Sequence, residues 1–178
     1  LDRALQQFLA DVYWGDLDFL VVDLPPGTGD VALSLGQKLP NAEVIVVTTP
    51  QQASAEVAER AGTMASMLDQ KVIGVIENMA YLEVTWPKCG EGHRVDVFGT
   101  GGGAEVAGTL SARLGYEVPL LAEVPMDPSL AAGGDLGVPL VATGPDRPAA
   151  AVLMALAERL ASRKRNLAGL KLGVTPVG

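Results

Sequence analysis

The chain has 178 residues, 48% hydrophobic and only 4% aromatic, and its 13 Lys and Arg against 21 Asp and Glu give a formal net charge of −8. That length holds one domain with a sizeable core, and the aliphatic bias suits an α/β interior. The acidic balance argues against nucleic-acid binding, no apolar run is long enough to cross a bilayer, and a single cysteine fits a reducing, cytoplasmic setting without an internal disulfide.

Residues 2–14 place Leu5, Phe8, Leu9 and Val12 at helical spacing. The unbroken apolar run DFLVVD (18–23) predicts a strand buried on both faces, as in parallel sheets. Thr28 or Asp30 is placed to cap a short helix, VALSLGQKL (31–39). A second strand, AEVIVVTT (42–49), ends at Pro50, a long helix covers 51–70, and a third strand, KVIGVIEN, covers 71–78. These strand starts lie roughly 25 to 30 residues apart, the βαβ repeat. From Met79 to Gly103 the periodicity stops, which predicts a long loop holding the only Cys and the only His. A helix over 104–114, a fourth strand, VPLLAEV (118–124), and a Gly/Pro-rich stretch with one helical turn follow. An amphipathic helix over 147–165 then ends in Arg163, Lys164 and Arg165, which suit the negative pole of its dipole, and 166–178 reads as a weakly ordered tail. The expected fold is α/β, a doubly wound and mostly parallel sheet, with residues 1–165 in one domain.

The chemistry concentrates where strands end. Ligands of open α/β sheets bind outside the carboxyl ends of the strands, where Asp23 is expected. A carboxylate there can hold a Mg²⁺-bound water, and Gly27 can offer an unshielded N–H to a terminal phosphate, the positioning that nucleotide hydrolysis needs. The competing reading is a strand-terminal Asp in a tight turn. Thr48 and Thr49 after the second strand can face the same crevice or cap the next helix. Asn78 ends the third strand with a side chain that can both donate to and accept from a purine edge, or it is simply a polar loop-entry residue. Cys89, in a Gly-flanked stretch with His93 beyond it, is either a soft-metal ligand or a free thiol. Gly101-Gly102-Gly103 precedes a helix but follows no predicted strand, and reads as a flexible junction.

Taken together and in order, VVDLPPGTGD (21–30), VTTPQ (47–51), GVIENMAYL (74–82), PKCG (87–90), VFGTGGG (97–103) and VPMDP (124–128) resemble the Mrp/ApbC family of iron–sulfur cluster carriers, members of the MinD/ParA-like P-loop ATPases. The resemblance implies a homodimeric, cytoplasmic ATPase that binds ATP with Mg²⁺, holds a bridging 4Fe–4S cluster and passes it to apoproteins. It implies that Asp23 is the Mg²⁺-associated carboxylate, acting indirectly, and that Gly27 senses the terminal phosphate. Asn78 would read adenine, Pro125, Met126 and Asp127 would lie along the base, and Cys89 would ligate the cluster. Trp86 stands where the family has its first cluster cysteine. The family's phosphate loop, of the type KGGVGKS, precedes these motifs, and residues 1–17 contain none. The sequence therefore leads us to expect a domain incomplete at its N-terminal side, inactive as an ATPase alone and self-associating through a bared strand edge. Two other functions are compatible with such a fold: a positioning ATPase without metal, and a non-catalytic interaction module.

Overall fold

The computed structural model describes residues 2–25, 29–85 and 92–163. In chain order these form α1 (Asp2–Ala10), α2 (Asp30–Lys38), β1 (Glu43–Thr48), α3 (Gln52–Met67), β2 (Lys71–Thr85), β3 (Gly92–Val95), α4 (Gly102–Leu114), β4 (Leu120–Met126), α5 (Pro128–Leu136), α6 (Leu140–Thr143) and α7 (Pro148–Ala161). The sheet is mixed and mostly parallel. β2 is central, with β1 parallel on one side and β4 parallel on the other, while β3 runs antiparallel to the far half of β2.

Both faces of the sheet are covered. On one face Val46, Val72 and Val75 pack with Ala55, Ala58 and Ala65 of α3 and with Val106, Ala107 and Leu110 of α4. α3 and α4 meet closely because Gly62 has no side chain: a Cβ there would stand 2.8 Å from Leu110. On the other face Val124 and Ile76 pack with Leu140, Ala149, Ala150 and Leu153. Helices on both faces explain why the β2 run KVIGVI is apolar without alternation. The doubly wound α/β expectation holds.

Four local expectations differ from the structure. DFLVVD forms no strand; residues 13–25 have no regular structure and are exposed. A run meant for burial on both faces needs a partner strand and helices on both sides. No strand among the described residues pairs with it, and β1 pairs with β2 alone. Second, β2 does not stop at Asn78. Met79 takes a left-handed backbone, φ 56°, which shifts the register against β4, and the strand continues through YLEVT into a hairpin with β3. Third, the Gly/Pro-rich stretch after β4 holds two helices, α5 and α6. Pro128 at the first turn of α5 and left-handed Gly137 just past its end punctuate that helix instead of breaking it. Finally, α2 is preceded by Gly29, which gives no side-chain cap, with Asp30 in the first turn; Thr28 lies outside the described residues.

Candidate functional site

The carboxyl ends of β1 and β4 flank the middle of β2, around its left-handed Met79. Thr48 stands opposite Glu77 in the ladder, and Asn78 opposite Val124. Thr48 is buried, and its hydroxyl donates to the Thr49 carbonyl oxygen at 3.2 Å. The Thr49 hydroxyl is buried without a hydrogen-bond partner among the described residues. Neither threonine caps α3, whose N-cap is Gln51 and has no side-chain bond. Both threonines therefore belong to the strand end, and Thr49 keeps an unspent hydroxyl there.

Asn78 is half-buried, and its Oδ1 accepts the Met79 N–H at 2.9 Å. That bond holds a methionine in a conformation that costs a non-glycine residue about 1 to 3 kcal/mol. It takes one lone pair of Oδ1, so the carboxamide retains donors and an acceptor site for a base edge.

At the end of β4, Pro125 is fully buried and Met126 half-buried. The Asp127 side chain is 6% exposed and doubly committed. Its Oδ1 accepts from the Ser129 N–H at 2.8 Å, capping α5, and the Arg147 guanidinium grips both oxygens at 2.7 and 2.8 Å. The hydrogen bond from Arg147 holds the Asp127 carboxyl below the usual carboxylate range against the opposing effect of burial. A ligand along this segment would meet Met126 and main chain before the Asp127 carboxylate.

Glu77 is the one ionisable residue in the buried set among the described residues, 1% exposed. Its Oε2 accepts the Gly103 N–H, while Oε1 has no hydrogen-bond partner among the described residues. The glycine run is thus an ordered helix start and not a flexible junction. Gly101 is left-handed at φ 81°, a Cβ on Gly102 would stand 2.6 Å from the Pro50 carbonyl oxygen, and one on Gly103 would stand 2.7 Å from Glu77 Cβ. Sequence reading gave Glu77, beside Asn78, no role of its own, although an acid closing an apolar strand run is itself a signal. It also missed Arg147.

The other expected residues are not gathered here. Asp23 lies in the exposed irregular stretch, and no ladder among the described residues brings it beside Asn78. Gly27 and Cys89 lie outside the described residues. Among the described residues no group of three or more His, Cys, Asp or Glu could hold a metal ion. A lone exposed carboxylate is the ligand type that Mg²⁺ takes alongside waters and substrate phosphates, but Asp23 by itself makes no ion site in this structure. On the hairpin, Arg94 lies 4.0 Å over the Tyr81 ring and pairs with Asp96 at 3.1 Å and Glu123 at 3.7 Å, tying β3 to β4.

Against known proteins, the NUBPL iron-transfer P-loop NTPase family (ParA) matches residues 1–161. The iron-sulfur cluster carrier protein of Mycobacterium tuberculosis is 57% identical over 176 residues, covering 99% of this chain and 45% of that protein. This chain thus spans about half the length of the curated relatives that it matches. Among solved structures, a nucleotide-binding protein of Archaeoglobus fulgidus in complex with ADP is 40% identical, with a TM-score of 0.59 over 76% of this chain and 52% of that one. The septum site-determining protein MinD of Pyrococcus horikoshii, 24% identical with a TM-score of 0.62 over 97% of this chain and 60% of that one, shares the fold.

Proposed function

This chain belongs to the NUBPL iron-transfer P-loop NTPase family, and from that premise we propose that the whole protein binds ATP and carries iron–sulfur clusters to apoproteins, with ATP hydrolysis accompanying transfer. The observation that carries this reading is that the ends of two parallel strands meet the middle of β2: Thr48, the last residue of β1, stands opposite Glu77, and Val124, near the end of β4, stands opposite Asn78, with Thr49 and Pro125–Asp127 following them. Such a crevice is where open α/β sheets take nucleotides. Asn78 would pair with the adenine edge, and Pro125, Met126 and Asp127 would line the base, with Arg147 fixing Asp127.

Asp23 and Gly27 are proposed for the phosphate end. Asp23 would hold a Mg²⁺-bound water, and the ion, when bound, would neutralise phosphate charge. The cluster is cargo, and Cys89 is its proposed ligand. A 4Fe–4S cluster takes four ligands, so two Cys89 thiolates in a homodimer would be joined by two further ligands, since Trp86 offers none. A cytoplasmic setting suits such a thiolate site.

Anaerobic reconstitution of the whole protein with iron and sulfide, with and without Cys89→Ser, tests the cargo assignment. The serine variant is expected to lose most of its bound iron and its cluster absorbance. Equal iron in both removes Cys89 from the ligand set.

A further inference from the structure

We propose that Glu77 is a positioning residue that holds residues 92–103, the return arm of the hairpin and the start of α4, against the end of β1 and the middle of β2, so that nucleotide beside Asn78 is felt as order in that arm. The proposal rests on the nucleotide reading above. Glu77 itself touches no ligand and acts through Gly103.

The burial of this acid calls for an explanation. A carboxylate removed from water is costly unless it is paired and fully hydrogen-bonded, and a well-packed apolar residue usually serves stability as well or better. Glu77 is 1% exposed, has one neutral N–H donor, and leaves Oε1 without a hydrogen-bond partner among the described residues. Packing alone would favour leucine or methionine. What the carboxylate adds is direction: it accepts from an N–H that the first turn of a helix cannot satisfy internally.

The surroundings are shaped for that single bond. Gly103 must lack a side chain to approach Glu77 Cβ, and Gly102 must lack one to approach the Pro50 carbonyl. The start of α4 therefore rests on the segment after β1 and is fastened to β2. The bond closes an excursion of 26 residues, within which the described hairpin strands Leu82–Thr85 and Gly92–Val95 pair. Arg94 to Glu123 is a second, exposed tie, and an exposed ion pair holds weakly. The buried Glu77 bond is the firmer of the two.

Glu77 is also the immediate neighbour of Asn78, whose Oδ1 restrains the left-handed Met79. A base that pairs with the remaining donors and acceptor site of the Asn78 carboxamide fixes the same group that restrains Met79, so the backbone at 78–79 responds. Through Glu77 the response reaches Gly103 and the arm behind it. The order of the arm and nucleotide binding are then linked by one coupling free energy.

The test is hydrogen exchange on the whole protein with and without Mg-ADP, read over residues 92–103, for the wild type, Glu77→Gln and Glu77→Ala. In the wild type Mg-ADP is expected to slow exchange there by about tenfold. Glu77→Gln, which keeps an oxygen for the Gly103 N–H, is expected to preserve the effect. Glu77→Ala is expected to abolish it while its Kd for Mg-ADP stays within about threefold. Should the alanine variant not fold, Glu77→Asp, one methylene too short to reach, carries the same expectation. Retention of the protection in the alanine or aspartate variant overturns the proposal, as does wild-type protein that binds Mg-ADP with no change in 92–103. Wild-type protein that binds no Mg-ADP overturns the nucleotide reading and this inference with it.

Discussion

A methyl group added at Gly102 and one added at Gly108 should act in opposite directions, although both glycines stand in α4. At Gly102 the new Cβ would meet the Pro50 carbonyl at 2.6 Å, and backbone cannot rotate away as a side chain can. At Gly108 nothing lies within 4 Å. Gly102→Ala is expected to destabilise the whole protein by about 1 to 3 kcal/mol through overpacking. Gly108→Ala should stabilise it by about 0.5 to 1 kcal/mol, because the unfolded chain loses freedom that the helix never used. Urea denaturation of the two variants checks both signs. The same pair shows what one sequence conceals. A glycine run reads as freedom, because only the absence of side chains is visible; the carbonyl and the carboxylate that need the space come from elements 26 or more residues away. Asn78 was legible as a polar residue closing an apolar run, but the left-handed Met79 that it restrains was not, since methionine gives no local sign of positive φ.

The pairing of Asp127 with Arg147 joins the starts of α5 and α7, and its pH dependence can be worked out. An aspartate whose folded pKa lies below its unfolded one, about 3.9, contributes stability that is present above that value and is lost as pH falls through the folded one. Asp127 is such a group, through the hydrogen bond from Arg147. The guanidinium is half exposed, so solvent screening discounts the pair. Arg147→Ala is therefore expected to lower the urea midpoint at pH 7, and the gap from wild type should close as the pH is lowered below the folded pKa of Asp127. Urea midpoints followed from pH 7 to strongly acid conditions read this directly; a gap that persists in acid would show that the arginine acts through packing. Elements as such were largely legible: β1, α3, β4 and α7 fall close to their expected positions, because each carries its own periodicity or apolar run. The hairpin was not, since YLEVT and GHRV are too short to announce themselves and gain strand geometry only by pairing with each other. DFLVVD failed for the converse reason. It has strand composition, but strand structure belongs to a ladder, and no ladder among the described residues includes it.

That run, outside every strand ladder among the described residues, decides the behaviour of the molecule as a whole. Leu17, Phe19, Leu20, Val21, Val22 and Leu24 are all exposed, with Val21 at 90% and Phe19 at 57%. They are consecutive or nearly so, β-branched or aromatic in part, and carry two acidic residues, Asp18 and Asp23, among them. Short segments of this kind template intermolecular pairing. β1 adds to the hazard, because among the described residues it pairs only with β2. The 178-residue chain is accordingly expected to self-associate at micromolar concentrations, with a mass above 18.4 kDa in light scattering after size exclusion. Charge placed on the run should relieve this without touching the core, since Phe19 and Val21 lie outside both clusters of buried residues. Phe19→Asp combined with Val21→Lys is therefore expected to shift the distribution toward monomer with little change in the melting temperature. A monodisperse wild-type monomer with a sharp, cooperative melt would mean that the run finds cover within its own chain.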